Sequence, residues 1–334
     1  MTEHVFLPDL DLCTIELCQA HREWLEHWLK EIERDIEDGD VASSLCLQSV
    51  MVEMILYNEL RYDWRAIFEH YLTDEAGNPL AYSERYSKRL YEFDNQWRQT
   101  PVHAVHTRFW VDRVCNSSTP VKSHYVQLIE GWIQPNGWIY NHDVSCTRLR
   151  SRMKSEYLMS FAMGLEIMAA ANTLALREQR FTATASSERP TPYLSAEYFR
   201  LRALELLRKP HLAPKALKAI IKTCEAGEGY CDFAVSSKVD DYMGSAKRTE
   251  RDKAVHSPLA ALHAGYLARH CNAATQQAVR ERIARLRQHL LEEPLDIPAF
   301  RIRDIVFPFG TDVSPLEVIA AAAITQGLLE GKLQ

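Results

Sequence analysis

Glycine is scarce in this chain of 334 residues, which contains only 12. Nucleotide-binding α/β folds use glycine where the backbone turns tightly against a phosphate. The sequence contains neither a GxGxxG segment nor a GxxxxGK[ST] segment. We therefore expect neither a Rossmann fold nor a P-loop domain.

The sequence also lacks the patterns of a zinc knuckle, a signal peptide and a membrane span. Its eight cysteines are scattered without any CxxC pair, which favours reduced, buried thiols over a metal site or a disulfide framework. The N-terminal residues have no basic segment followed by a long apolar one, and no run of 18 apolar residues occurs. These features predict a cytoplasmic protein without a membrane partner.

Apolar residues recur at steps of three and four over most of the sequence, which is the period of amphipathic helices. The pattern predicts an all-α fold of helical hairpins, packed as a bundle, an open array or a closed α/α ring. The expected helices cover 12–37, 41–72, 83–98, 145–180, 194–208, 213–226, 258–271, 275–292 and 316–330.

One segment, "HYVQLIEGWIQPNGWIYNHDV", has a β signal instead. Two runs of aromatic and β-branched residues flank Gln-Pro-Asn-Gly, and asparagine and glycine accept the positive φ of a tight turn. The segment predicts one β-hairpin near 124–142, with strands at about 124–133 and 137–142.

Residues 181–193, "FTATASSERPTPY", are rich in Thr, Ser and Pro and indicate a linker. We expect a helical lobe at 1–182 that contains the hairpin, a linker at 183–192 and a second helical lobe at 193–334. Residues 1–192 carry 19 Lys/Arg against 28 Asp/Glu, whereas residues 193–334 carry 20 against 17. The first lobe is thus acidic and the second mildly basic. The alternative is a single domain.

Two stretches concentrate positive charge and are the predicted anion-binding sites. Cations in the first turns of a helix oppose the positive end of its dipole, so those of "TRLRSRMK" are expected to face an anion or an acidic patch. The second stretch, "KRTERDKAVHSP", precedes a predicted helix. The alternatives are solvated charge and pairing with the chain's own acids. The predicted anion-binding residues are Arg148, Arg150, Arg152, Lys154, Lys247, Arg248, Arg251 and Lys253.

Within the second stretch, "RDKAVH" resembles the R-polar-x3-H motif of HEPN domains, which are small, helical and dimeric. Many members of that family are metal-independent ribonucleases. The resemblance covers six residues and implies that Arg251 binds the scissile phosphate. It further implies that His256 moves a proton during attack by the RNA 2′-hydroxyl, while Asp252 fills the polar position.

Histidines occur close together in the sequence at His103, His106, His124 and His142, the last followed by Asp143. "HAVH" on a helix would place two imidazoles one turn apart, but neither HExxH nor a pair of ExxH motifs accompanies it. We therefore predict partly buried, hydrogen-bonded histidines, with no metal and no cofactor. The tryptophans near the predicted hairpin, including Trp110, Trp132 and Trp138, are expected in the core.

The resulting hypothesis is a helical protein that contacts an anionic partner, namely nucleic acid, with ribonuclease activity as its most specific form. Two alternatives stay open. One is a non-catalytic subunit or homodimer that docks protein partners. The other is a small-molecule enzyme with a pocket between helices, built from the histidines and tryptophans.

Overall fold

The computed structural model describes part of the chain. The described residues are 7, 10–37, 43–64, 66, 106, 109–111, 123–139, 153–187, 194–213, 258–292, 315–330 and 332. The α-helices are α1 (Gln19–Glu37), α2 (Ser43–Tyr57), α3 (Ser123–Gly131), α4 (Met153–Ala170), α5 (Glu178–Ser187), α6 (Leu194–Leu206), α7 (Pro258–Ala268), α8 (Ala273–Glu292) and α9 (Pro315–Thr325). Short 3-10 helices lie at Leu12–Thr14, Leu174–Arg177 and Pro210–Leu212.

The all-α class is confirmed, because the described ranges are mostly helical and contain no β-strand. Several helices are shorter than their apolar periodicity predicts. The expected helix 145–180 is interrupted after Ala170, where Asn172 adopts a φ of 58°. The N–H of Thr173 donates to the carbonyl of Met168 at 2.9 Å. This hydrogen bond closes α4, and the chain continues through a 3-10 helix into α5.

The predicted β-hairpin is wrong in its first strand, since Ser123–Gly131 is helix α3. The buried residues of this segment, Tyr125, Val126, Ile129 and Trp132, recur at helical rather than alternating steps. The turn itself is present, with a single antiparallel bridge between Ile133 and Ile139. Residues 140–142 of the second expected strand lie outside the described residues.

The turn at 134–137 is held by helix α5. Arg180 donates from Nη2 to the carbonyls of Gln134, at 2.7 Å, and Pro135, at 3.1 Å. The Thr184 hydroxyl donates to the carbonyl of Asn136 at 3.0 Å. Gly137 has a φ of 90°, and an added Cβ would overlap Thr184 Oγ1. Glycine is therefore required here both by backbone conformation and by the close approach of α5.

Four described helices are followed by a residue in the left-handed region, namely Asn58, Asn172, Arg208 and Gly327. At Asn172, Arg208 and Gly327 the N–H groups of this residue and of the next bond back into the last turn, which is the Schellman arrangement. Glycine and asparagine tolerate this conformation, whereas another L-residue adopts it at a cost of about 1 kcal/mol. Arg208 is thus the unusual residue in this set.

Contacts between residues divide the chain into two compact units. The first unit comprises Met1–Trp28, Arg189–Leu201 and Pro210–Gln334, and the second comprises Leu29–Glu188 and Arg202–Lys209. The expected linker 183–192 is helical as far as Ser187, and residues 188–192 are outside the described part of the chain. The expected lobes 1–182 and 193–334 stay a prediction.

In the first unit, helices α7, α8 and α9 pack against one another. Helix α9 is buried around its whole circumference, as its apolar sequence predicts, except that Glu317 and the last residue, Thr325, are half-buried. The Glu317 carboxylate accepts a hydrogen bond from the backbone N–H of Leu259 at 2.9 Å and so caps α7. Gly265 of α7 lies where an added Cβ would be 3.3 Å from Ile283 of α8, so the two helices approach closely.

The N-terminal segment is attached to the end of α9. Gln326 accepts a hydrogen bond from the backbone N–H of Glu16 at 3.1 Å, and its amide donates to the carbonyl of the same residue. Leu7, Leu10, Leu12 and Ile15 of this segment are buried. Burial of these four side chains and the two backbone hydrogen bonds fix the segment before α1 begins.

In the second unit, α3 packs on α4, and three aromatic rings from successive elements form its core. Phe161 of α4 lies edge-on to Trp138 and to Phe181 of α5, with ring centroids 5.4 Å and 5.7 Å apart. Gly164 lets Ile139 approach α4, since an added Cβ would be 2.8 Å from the Ile139 Cδ1 atom. Trp110, Trp132 and Trp138 are buried, which confirms their expected place in the core.

Among the residues described, no helix combines the length and the apolar character that crossing a bilayer would require.

Substitution of Gly137 by alanine is expected to lower the free energy of unfolding by about 2–4 kcal/mol, because both the positive φ and the contact with Thr184 oppose a Cβ. Gly131 is the matched control, since it ends α3 and has no atom within 4 Å of an added Cβ. Gly131→Ala should leave stability unchanged or raise it by about 0.5–1 kcal/mol. Urea unfolding of both variants measures the difference, and equal effects would contradict the described turn.

Candidate functional site

Most residues of the predicted anion-binding and catalytic sites lie outside the described part of the chain. These are Arg148, Arg150, Arg152, Lys247, Arg248, Arg251, Lys253 and His256. Lys154 belongs to the first turn of α4, although its side chain is not described. Anion binding and ribonuclease chemistry at these residues therefore stay predictions.

Among the described residues, helix α6 carries a cluster of charged side chains that the sequence analysis did not predict. Glu197, Arg200 and Arg202 are each less than a tenth exposed, and Glu205 is half-buried. Ionised groups are rarely buried unless they are paired, because desolvation of each charge costs several kcal/mol. Helix α6 therefore positions side chains whose charges must be compensated inside the protein.

Arg202 is compensated by two acids of the second unit. Its Nε lies 3.3 Å from Oε1 of Glu166 on α4, and its Nη1 lies 3.5 Å from Oε2 of Glu205. The other oxygen of Glu166 lies 4.0 Å from Nδ1 of His106, which is completely buried. The three side chains thus form an internal His–Glu–Arg cluster.

Trp110 determines which form of His106 fits this cluster. The indole N–H of Trp110 donates to Nε2 of His106 at 2.5 Å, so Nε2 is the acceptor and the ring proton belongs on Nδ1, facing Glu166. A proton on Nε2 of His106 would instead point at the indole N–H of Trp110, so that two donors would face each other. Trp110 and Glu166 thus hold the His106 ring in one orientation. The expectation of a hydrogen-bonded histidine is confirmed for His106, which is fully rather than partly buried.

A comparable pair lies on the part of α6 that belongs to the first unit. Arg200 Nη2 lies 3.2 Å from Oε1 of Glu197, and both side chains are buried. Next to this pair in the sequence, Tyr198 stacks on His263 of α7 with ring centroids 4.5 Å apart. The stack joins α6 to α7 through planar groups that have both apolar faces and polar edges.

Glu53 is a third buried acid, and it organises the chain after α2. Its carboxylate accepts hydrogen bonds from the backbone N–H groups of Arg61 and Tyr62, both at 3.2 Å, and from the Trp64 indole at 2.8 Å. Burial raises the pKa of Glu53, while these three donors favour the charged form and limit the rise. The residue holds the 58–64 segment against α2.

The sequence analysis missed these buried acids, although a signal for two of them exists. Glu53 stands alone in "SVMVEMILY", and Glu166 stands alone in "FAMGLEIMAAA". A single carboxylate within an apolar helix indicates either a buried partner or a functional group. Their partners lie up to 60 positions away in the sequence and could not be identified from local spacing.

The expectation of buried thiols is wrong for two cysteines. Cys13 and Cys18 are exposed. Cys13 lies in the 3-10 helix Leu12–Thr14 and Cys18 directly precedes α1, whereas both were predicted within one long helix. Cys271 is partly buried, and burial raises its pKa to about 11. A thiol with a pKa this high is a poor nucleophile near neutral pH.

His103 and His142 lie outside the described residues, and the side chain of His124 is not described. Within the described ranges, no three His, Cys, Asp or Glu side chains are grouped as a metal site requires.

Comparisons of the chain with protein-family models, with curated proteins and with solved structures found no match. The assignment of a function therefore depends on the chemistry of the chain's own residues.

Replacement of Glu166 by alanine is expected to lower the free energy of unfolding by about 3 kcal/mol, because it removes one buried acid partner of Arg202 and the group facing His106. Glu130 is the matched control, since its pair with Arg177, at 3.1 Å, is about one-third exposed on both sides. Glu130→Ala should cost less than about 1 kcal/mol. Chemical unfolding tests this, and similar losses in both variants would contradict a buried cluster.

His21 of α1 provides a pH-dependent test of packing. The ring is 8% exposed, and burial lowers its pKa from 6.5. The unfolded chain then binds more protons than the folded one, so stability present above pH 6.5 is lost as the pH falls from 6.5 toward the folded pKa. The stability of His21→Gln relative to wild type should therefore rise as the pH falls from about 8 to about 5. His27→Gln, on an exposed part of α1, controls for loss of an imidazole.

Proposed function

We propose that this protein binds nucleic acid through its phosphate backbone, using the arginine-bearing stretches 147–154 and 247–256. The observation that carries the proposal is the position of Lys154 in the first described turn of α4, directly after three arginines in the sequence. A cation in a first turn is repelled by the positive end of the helix dipole. An anion at this position would convert the repulsion into a favourable interaction.

The distribution of charge in the sequence supports the same partner. Arg148, Arg150 and Arg152 directly precede α4, so four cations occur within seven positions. Arginine forms paired hydrogen bonds with phosphate oxygens, and several cations close together gain from the release of counterions. The buried arginines of α6 do not contribute to this proposal, because acids inside the protein already pair with them.

The most specific form of the proposal is a metal-independent ribonuclease that uses Arg251 and His256. In this mechanism His256 accepts the proton of a ribose 2′-hydroxyl, whose oxygen attacks the adjacent phosphorus. The new 2′-O–P bond replaces the bond to the 5′-oxygen, which leaves with a proton from solvent. Arg251 stabilises the negative charge that develops on the phosphate oxygens. The six-residue resemblance to HEPN domains supports these roles.

Binding is tested by measuring the affinity for a single-stranded RNA at several salt concentrations. We expect a steep linear fall of log K with log salt, with a slope that decreases by roughly 0.7 for each phosphate contact removed. Arg150→Gln/Arg152→Gln should therefore reduce the slope by roughly 1.4. Lys30→Gln/Arg34→Gln, which removes two exposed cations of α1, is the matched control and should leave the slope unchanged.

Cleavage is tested separately, with RNA incubated with wild type and with His256→Ala in the presence of a chelator. The nuclease form requires a loss of at least about a hundredfold in rate, the usual contribution of general acid–base catalysis. Equal rates in the two proteins, or no cleavage by wild type, would reject the nuclease and leave the binding proposal to the salt experiment.

A further inference from the structure

The end of helix α6 has an arginine where the other left-handed helix ends have asparagine or glycine. Arg208 has a φ of 57°, whereas the corresponding residues after α2, α4 and α9 are Asn58, Asn172 and Gly327. Asparagine and glycine differ in size but share tolerance of the left-handed conformation, which arginine lacks. The negative end of the helix dipole attracts a cation here, but at an exposed position that attraction is no larger than the cost of the backbone conformation. A further reason must therefore favour arginine at this position.

The cap's own hydrogen bonds do not supply that reason. The N–H of Arg208 donates to the carbonyl of Glu205 at 2.8 Å, and the N–H of Lys209 donates to that of Leu204 at 2.7 Å. Both bonds use backbone atoms, so glycine or asparagine at position 208 would form them equally well. The arginine side chain is not needed to close the helix.

The described part of the chain does not supply that reason through a side-chain partner either. Arg208 is exposed and Lys209 is half-buried. Within the residues that the structure describes, neither side chain makes a hydrogen bond or an ion pair. This distinguishes them from Arg200 and Arg202 of the same helix, whose guanidinium groups are paired with buried acids.

We infer that Arg208 and Lys209 form a phosphate-binding contact, in which the charge of Arg208 outweighs the cost of its backbone conformation. The inference rests on the nucleic-acid binding proposed above. Two adjacent cations on a rigid helix end offer charge and N–H donors, which suffice for a phosphate backbone. An acidic protein would in addition require apolar anchor residues, which these two side chains do not provide.

Three substitutions of Arg208 separate the role of charge from that of backbone conformation. Arg208→Asn relieves the conformation and removes the charge. It should raise the Tm by roughly 1–3 °C and weaken binding of a single-stranded RNA by roughly three- to tenfold at low salt. Arg208→Gly should behave in the same way. Arg208→Lys keeps the charge and should bind RNA within about twofold of wild type, since a phosphate contact needs mainly a cation.

Two further variants complete the comparison. Lys209→Gln should weaken RNA binding without a rise in Tm, because its backbone conformation is ordinary. Asn172→Gly changes the equivalent position of α4 without changing charge, and it should leave RNA binding unchanged. The salt slope should fall by roughly 0.7 in Arg208→Asn and in Lys209→Gln.

The outcomes distinguish failure of this inference from failure of the proposed function. Wild-type protein that binds RNA, together with an Arg208→Asn variant that binds equally well, would overturn the contact alone. Wild type without RNA affinity would overturn both. A lower Tm in Arg208→Asn would show that the arginine stabilises the fold and would overturn the inference. An Arg208→Asn variant that binds poly-glutamate more weakly than wild type, but binds RNA equally well, would assign the contact to an acidic protein. That result would also overturn the inference.

Discussion

The pairing of buried charge on helix α6 is the constraint on which the described structure depends most. Arg202 cannot lie in the interior of the second unit unless an acid accompanies it, and Glu166 of α4 supplies that acid at 3.3 Å. Glu166 also faces the ring of His106, which Trp110 holds from the opposite side. The position of α4 relative to this end of α6 is therefore determined by charge as well as by apolar packing.

This constraint also separates the charges that can meet a partner from those that cannot. Arg200 and Arg202 have lost most of their contact with water and are paired with acids of the same chain. A phosphate bound to one of these arginines would lie close to the buried carboxylate that already pairs with it, and the two negative charges would repel each other. Arg208, just after the end of α6, has no such competitor among the described residues, since its side chain is exposed. The proposed anion contact therefore lies at Arg208 rather than inside α6.

The sequence predicted the helical class because its apolar period is strong, and the terminal helix α9 was recognised from the composition of "PLEVIAAAAIT". The hairpin was predicted incorrectly in its first strand, since Tyr125, Val126 and Ile129 combine high β propensity with spacing that also suits a helix. Packing against α4 decides in favour of the helix, and propensity alone contains no information about that contact. The turn was identified correctly because Gly137 adopts the expected positive φ, although Asn136 does not share it. Such local backbone angles need no distant partner.

The buried cluster was beyond sequence analysis for a related physical reason. An acid such as Glu166 in an apolar helix indicates that a partner must exist, but not which residue it is. The partner is selected by the folded arrangement, in which α6 brings Arg202 beside α4 from a distant part of the sequence. Arg208 is different, because arginine after the last turn of a predicted helix is visible in the sequence while its left-handed φ is not. The combination of an unfavourable backbone conformation with an exposed charge becomes evident only in the structure, and it is this combination that points to an external anion.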